Sequence, residues 1–317
     1  MYISQTFNVL HDWWRYVLGF ILIVMAVIIG QIPLTIAIFF KASQNGDNLF
    51  ELDETTMLSM LEPNLNLFLI LLTYAAGLLA VLLVARYLHK QTLRQLTTAR
   101  SAIDWKRFWF AFILWAAISV TFIFIDYLST PEHYELNFQL VPFLILCLIA
   151  VIFIPLQTSF EEYLFRGYLM QGLGVMLKNK WIPLVFTSLA FGLLHIANPE
   201  IEQLGYILLV YYVGTGFFLG IITLMDDGLE LALGFHAANN LFAALLVTAD
   251  WTAFQTYSVF KDISEPQTAG FIDIFMPVFI IFPIMLVIFG RVYKWSNWKE
   301  KIFGKVEVPR EDYKILE

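Results

Sequence analysis

The sequence has little charge and almost no cysteine. Of its 317 residues, only 14% are Asp, Glu, Lys or Arg, while 59% are hydrophobic and the mean hydropathy is +0.72. Because a soluble domain carries about a quarter charged residues, a soluble globular protein is excluded and lipid is the expected solvent. The single cysteine, Cys147, excludes an intrachain disulfide and a metal cage built from cysteines.

Signals that would divide or shorten the chain are also missing. No internal repeat, low-complexity tract or glycine–serine linker interrupts the sequence, and the polar connections are too short to fold alone. A single integral membrane domain over residues 1–317 is therefore predicted. No short apolar segment followed by a small-residue cleavage site is found, so no segment is expected to be removed.

Long apolar runs are what the sequence has in abundance. Runs of about twenty apolar residues predict an all-α, polytopic membrane protein with about eight transmembrane helices. These runs cover residues 17–40, 65–85, 108–128, 140–159, 181–196, 204–224, 229–248 and 271–293. The fifth run is short, and its end is expected to stay buried within the helix bundle.

The charge of the connecting segments predicts the orientation in the membrane. Positive residues are concentrated between positions 86 and 107 and after Gly290, whereas the connections after the first and third runs are acidic. Under the positive-inside rule, both termini and the basic connection are expected in the cytoplasm. The basic residues are Arg86, Lys90, Arg94, Arg100, Lys106, Arg107, Arg291, Lys294, Lys299, Lys301, Lys305, Arg310 and Lys314. The acidic ones are Asp47, Glu51, Asp53, Glu54, Glu62, Glu132 and Glu135. Because no targeting extension is present, a prokaryotic plasma membrane is the expected location.

An acidic pair and an arginine follow the fourth apolar run. On a helix, Glu162 and Arg166 stand four residues apart on one face and are expected to form a buried ion pair, with Glu161 turned about 100° away. Glu161 is then the free carboxylate and the better candidate for proton transfer. Pro155 predicts a bent helix that directs these carboxylates into the protein interior. The alternative is a helix end at the membrane surface with an exposed ion pair.

Two histidines lie within later apolar runs. Phe191 and His195 are one helical turn apart, and taken alone they are typical of packing side chains. His236 and Asn240 share a helix face, where they are expected to donate two hydrogen bonds to one oxygen. The alternative for this pair is polar contact between helices.

The coincidence of these groups favours a catalytic site. A carboxylate, two imidazoles and an amide meet the needs of amide hydrolysis, which are a base that activates water, an acid for the leaving amine and donors for the oxyanion. Peptide hydrolysis within a membrane is therefore the predicted chemistry.

The motif-bearing core, residues 140–248, resembles the CPBP intramembrane protease family, also called the Abi or type II CAAX prenyl protease family. The resemblance lies in three motifs, Glu161-Glu162-x-x-x-Arg166, Phe191-x-x-x-His195 and His236-x-x-x-Asn240. It implies an endopeptidase with a polar catalytic cavity open to the cytosol. It also implies that Glu161 and His195 activate the attacking water and that His236 and Asn240 form the oxyanion hole. Glu162, Arg166, Phe191 and Asn239 are expected to support these groups.

The metal, the substrate and the catalytic activity itself have alternatives in the sequence. Members of the family are called metalloproteases, and Glu161, His195 and His236 have suitable ligand chemistry for zinc. No His-Glu-x-x-His motif is present, so hydrolysis that depends on glutamate is favoured, with zinc as the alternative. The expected partners are membrane lipid and a membrane-associated, lipidated or transmembrane peptide substrate, and no nucleic acid. The alternative function is that of a non-catalytic bacteriocin self-immunity or scaffold protein. A transporter is disfavoured because the buried acids and histidines occur in one half of the chain only.

Overall fold

The computed structural model describes residues 1–48, 52, 54–265 and 271–308, and it is mainly helical. Its α-helices are α1 (Trp13–Asn45), α2 (Glu54–Ser59), α3 (Pro63–Leu83), α4 (Leu93–Thr97), α5 (Trp105–Ser129), α6 (Leu140–Glu162), α7 (Met170–Leu177), α8 (Trp181–Leu194), α9 (Pro199–Leu204), α10 (Leu209–Asp226), α11 (Glu230–Leu246), α12 (Phe271–Met276), α13 (Phe282–Val292) and α14 (Trp298–Phe303). Four of the residues used above to predict orientation lie outside the described residues, namely Glu51, Asp53, Arg310 and Lys314.

Shorter helical segments connect or extend these helices. Those with 3₁₀ geometry are Ser4–Asn8, Pro131–His133, His195–Ala197 and Tyr206–Leu208, and those with π geometry are Val84–Leu88, Tyr163–Leu169 and Pro277–Ile281. The connections also form a small three-stranded sheet of β1 (Tyr134–Leu136), β2 (Val247–Thr248) and β3 (Phe260–Asp262). Strand β3 lies in the middle, antiparallel to β1 and parallel to β2. The all-α prediction did not include this sheet, because its strands are only two or three residues long.

Among the residues that the structure describes, six helical stretches are long and apolar enough to cross a membrane, which indicates an integral membrane protein. They are Trp13–Asn45, Pro63–Leu88, Trp105–Ser129, Leu140–Leu177, Tyr206–Asp226 and Ile274–Val292. The other two predicted spans correspond to α8, with 14 residues, and α11, with 17 residues. At about 1.5 Å per residue, α8 covers only about 21 Å, less than the roughly 30 Å of a bilayer core. The predicted count of eight spans is therefore not confirmed. Of the two short helices, α11 carries His236, and α8 ends directly before His195.

The acidic pair lies at the end of α6, inside the protein. Glu162 is fully buried, as expected for a helix that directs its carboxylates inward. Pro155 lies within α6, which stays helical up to Glu162. The departure from α-helical geometry comes after the acids, in the π-helical segment Tyr163–Leu169 that leads into α7. Such π segments are often found at functional sites.

Close helix packing brings the candidate residues together. Gly234 on α11 lies against the backbone of Phe108 on α5, where a Cβ atom would overlap the carbonyl group. Gly216 on α10 lies in the same way against the backbone of Ser188 on α8. Small residues at such crossings let helix backbones approach closely in a membrane. These two glycines thus set the distances of α11 from α5 and of α10 from α8.

A second cluster of charges holds the turn between α10 and α11. The buried carboxylate of Asp226 pairs with Arg100, at 2.7 Å, and with Arg107. Arg100 also lies 3.1 Å from the buried carboxylate of Glu230 at the start of α11. Part of the basic connection that predicts membrane orientation therefore has a structural role, because it holds the start of α11 against the segment before α5.

Candidate active site

Three parts of the fold supply the ionisable groups of the site. Glu161, Glu162 and Arg166 come from the end of α6 and the π-helical segment after it, His195 follows the last residue of α8, and His236 lies in the first half of α11. The fold therefore brings residues from distant parts of the sequence into one buried region.

Glu162 and Arg166 form the ion pair that the sequence predicts. Arg166 Nη1 lies 3.0 Å from Glu162 Oε1, and both side chains are completely buried. Arg166 also donates through Nη2 to the carbonyl oxygen of Gly216 on α10, at 3.1 Å, and its guanidinium lies 4.5 Å from the ring centre of Phe191. The exposed ion pair at a helix end, weighed above as an alternative, is therefore excluded.

His236 lies between the two carboxylates. Its Nδ1 is 2.8 Å from Glu162 Oε1, and its Nε2 is 3.4 Å from Glu161 Oε2. Because a carboxylate oxygen accepts hydrogen bonds, Nδ1 donates to Glu162, and a proton between Nε2 and Glu161 satisfies both of those atoms. The cluster thus joins two carboxylates, one guanidinium and one imidazole. Buried ionisable groups in membrane proteins are paired in this way because a lone charge is costly in such surroundings.

Asn240 does not share a partner with His236. Its Nδ2 donates to Gln157 Oε1, at 3.0 Å, and Gln157 Nε2 in turn donates to Glu161 Oε1, at 2.6 Å. Asn239 Nδ2 donates to Asn240 Oδ1, at 3.0 Å. The expectation that His236 and Asn240 bind one common oxygen stays a prediction; His236 contacts the Glu161 carboxylate directly, and Asn240 is connected to it through Gln157.

His195 is held by its own helix end and by a tyrosine. Its Nδ1 lies 2.8 Å from the carbonyl oxygen of Phe191, so Nδ1 is the donor and Nε2 keeps its lone pair. The ring stacks on Tyr212, with 4.2 Å between the ring centres and 20° between the planes. Phe191 is 4.9 Å from His195 and 5.9 Å from His236, measured between ring centres. The two histidine rings therefore contact the same phenylalanine.

Three residues of this region were missed by the sequence analysis. Gln157, on the same helix face as Glu161 and one turn before it, is a buried polar residue in an apolar run, and that pattern could have revealed it. Trp115 on α5 donates through Nε1 to Asn239 Oδ1, at 3.0 Å. Neither Trp115 nor Tyr212 had a distinguishing signal, because aromatic residues are common in every apolar run of this chain.

The zinc alternative finds no support in the donor geometry. Within the described ranges, no group of three or more His, Cys, Asp or Glu side chains is arranged to hold a metal ion. Both ring nitrogens of His236 face carboxylates, and Nδ1 of His195 faces a backbone carbonyl. Glu161, His195 and His236 therefore do not fit a zinc site in this arrangement.

An apolar cavity of about 570 Å³ lies apart from these residues, between α10 and residues 278–286. Its lining includes Val213, Phe217, Val278 and Phe282, and none of the predicted site residues. The polar cavity open to the cytosol accordingly stays a prediction.

Comparison with known proteins gives two matches. Residues 137–242 match the family model described as type II CAAX prenyl endopeptidase Rce1-like, and this range contains all three motifs. The chain is also 32% identical, over 289 residues, to the protein of Bacillus subtilis (strain 168) named "Uncharacterized protein YyaK". That similarity covers 91% of this chain and 93% of the relative. No solved structure matches the chain.

Proposed function

We propose that this protein is an intramembrane endopeptidase, because the chain belongs to the CPBP intramembrane protease family. The family model for type II CAAX prenyl endopeptidases matches the part of the chain that carries the three motifs. Its substrates are membrane-associated or prenylated, CAAX-type peptides. It works in a prokaryotic plasma membrane with both termini in the cytoplasm. The observation that supports this proposal is the buried cluster in which Glu161 and Glu162 meet His236, with His195 nearby.

Glu161 and His195 activate the attacking water. The Glu161 carboxylate has about four acceptor positions, and the hydrogen bond from Gln157 and the contact with His236 use two of them. Its side chain is 12% exposed, in contrast to the fully buried Glu162. Glu161 takes a proton from water while the free Nε2 of His195 orients it. The water oxygen then bonds to the peptide carbonyl carbon, the C–N bond breaks, and the proton passes to the leaving amine.

His236 and Asn240 stabilise the oxyanion. The carbonyl oxygen gains negative charge when water attacks, and donors placed beforehand are worth about 10²- to 10³-fold in kcat each. His236 donates from Nε2, and Asn240 donates the second N–H of its amide, since the first is bound to Gln157. Glu162 and Arg166 take no part in the chemistry and hold His236 in place through Nδ1.

The test is cleavage by the purified protein in liposomes. A quenched farnesylated CAAX peptide and an unprenylated membrane peptide are compared for the wild type and for Glu161→Gln, each with and without a chelator. We expect the variant to fold normally and to lose about 10²- to 10⁴-fold in kcat, the usual contribution of a general base. The chelator should leave cleavage by the wild type unchanged.

A matched control uses an exposed glutamate, Glu132→Gln, which should cleave like the wild type. Equal cleavage by Glu161→Gln would remove Glu161 from the mechanism, and loss of cleavage with chelator would restore the metalloprotease alternative. If the folded wild type cuts neither peptide, the non-catalytic self-immunity or scaffold function replaces the proposal.

A further inference from the structure

Four consecutive hydrogen bonds, together called the hydrogen-bond chain, connect α5, α11 and α6. The indole of Trp115 donates to Asn239, at 3.0 Å, Asn239 donates to Asn240, at 3.0 Å, and Asn240 donates to Gln157, at 3.0 Å. Gln157 then donates to Glu161, at 2.6 Å. Trp115 and Gln157 are buried, with 6% and 4% of their surfaces exposed. The hydrogen-bond chain therefore starts on α5, at a residue outside the proposed reacting groups, and ends on one of them.

The direction of this chain is determined by its first member. An indole N–H can only donate, so Asn239 must accept through Oδ1 and present its NH₂ group to Asn240. Asn240 must then accept through Oδ1 and present its NH₂ group to Gln157, and the same choice follows for Gln157. At the other end, an ionised carboxylate can only accept, so it agrees with the same direction. A flip of any of the three amides would place donor against donor on one side and acceptor against acceptor on the other.

We propose that Trp115, Asn239 and Gln157 are positioning residues that, as one directional hydrogen-bond chain, orient the amide of Asn240 and hold the carboxylate of Glu161. This inference rests on the proposed function, because it assigns a role relative to the proposed oxyanion donor and the proposed base. The chain gives Asn240 one amide orientation, in which NH₂ and not the oxygen faces the side of Glu161. It also holds Glu161 Oε1, so that Oε2 and the remaining lone pairs face His236 and the substrate.

Kinetics test the positioning role with near-isosteric variants. Trp115→Phe removes the first donor, Asn239→Asp keeps the acceptor for Trp115 but loses the donor to Asn240, and Gln157→Glu keeps the acceptor for Asn240 but loses the donor to Glu161. For each variant we expect kcat to fall about tenfold or more, toward the roughly 100-fold that a misplacement of 1 Å can cost. KM should stay close to the wild-type value, since none of the three contacts the substrate.

Two matched controls separate this role from general packing. Trp109→Phe changes an exposed tryptophan on the same helix, α5. Gln171→Glu changes a buried glutamine in a separate network with Thr6 and Gln91. Both controls should leave the kcat of the folded protein unchanged. A kcat at the wild-type level in Trp115→Phe would overturn the positioning role.

A double-mutant cycle on unfolding tests the chain without any substrate. The shifts in the unfolding midpoint of Trp115→Phe and Gln157→Glu should be non-additive in the double variant, because both break one connected network. The shifts of Trp115→Phe and Gln171→Glu should add. Additive shifts for Trp115→Phe and Gln157→Glu would contradict the connected hydrogen-bond chain. If the wild type cuts neither peptide, the proposed function fails and the positioning role fails with it. The double-mutant cycle still decides in that case whether the hydrogen-bond chain forms.

Discussion

At the scale of single residues, the site depends on two neighbouring carboxylates that differ in burial and in hydrogen-bond partners. Glu162 is fully buried and bound by both Arg166 and His236, whereas Glu161 is partly exposed and bound by Gln157 and His236. A carboxylate whose charge is already paired is a poor base, and one with free lone pairs is a better one. The neighbouring residues thus separate the two acids into a supporting group and a reacting group.

Removal of the Arg166 charge should destabilise the protein strongly. In Arg166→Met, Glu162 loses the guanidinium that pairs with its buried carboxylate, and breaking such a pair costs about 3 to 5 kcal/mol. We expect a lower unfolding midpoint in detergent and less folded protein after purification. The control is Asp12→Asn, which breaks an exposed pair with Arg15 and should leave the unfolding midpoint close to that of the wild type. Equal stability of Arg166→Met and the wild type would contradict the assignment of Arg166 as the structural partner of Glu162.

At the scale of elements, the two short helices α8 and α11 position the two histidines of the site. Helix α11 has 17 residues, fewer than the roughly 20 of a typical membrane span, and its first nine residues are all buried inside the protein. Its position depends on the crossing with α5 at Gly234 and on the charges of Arg100, Asp226 and Glu230 at its start. Because Trp115 on α5 contacts Asn239 on α11, this crossing also determines whether the hydrogen-bond chain can form.

Substitution of Gly234 should separate α5 from α11. In Gly234→Ala the new Cβ overlaps the backbone of Phe108, which cannot move aside as a side chain could, and overpacking of this kind costs about 1 to 3 kcal/mol. We expect a lower unfolding midpoint and reduced kcat in the remaining folded protein. Gly290→Ala on α13 is the control, because there the new Cβ is 3.4 Å from the nearest side-chain atom, in Trp298. If both variants behave alike, the close crossing is not needed.

At the scale of the whole molecule, charge and hydropathy determine how the chain lies in the membrane. The single cysteine, Cys147, lies within α6. In a Cys147→Ser variant, a cysteine introduced at one position is therefore the only thiol, and its labelling shows on which side of the membrane that position lies. In intact cells, a membrane-impermeant maleimide should label Glu132→Cys and leave Ser101→Cys unlabelled until the membrane is opened. Both positions are exposed, so a difference in labelling reports the side of the membrane. The reverse pattern would place the termini outside the cytoplasm.

Local rules predicted much of this fold and part of the site. The positions of the helices follow from apolar runs, and the Glu162–Arg166 pair follows from a spacing of four residues, because both depend only on neighbours in the sequence. The count of eight spans was not confirmed, since α8 has only 14 residues and α11 only 17, and a helix within a bundle can be shorter than the bilayer. The expectation that the end of the fifth run is buried was wrong, because Leu193, Leu194 and Ile196 are exposed. The strands of the sheet were missed because they are only two or three residues long, and because β1 pairs with β3 across more than a hundred positions of the sequence.

The sequence by itself determined that this protein is a helical membrane protein, which groups are ionisable within its apolar runs, and which pairs share a helix face. Only the tertiary structure decided that His236 lies between Glu161 and Glu162, that Asn240 binds Gln157, and that Trp115 begins the chain leading to Glu161. Periodicity relates residues within one helix, whereas these contacts join different helices. They depend on the distance and rotation at which the helices pack, and close approaches such as that of Gly234 to Phe108 set both.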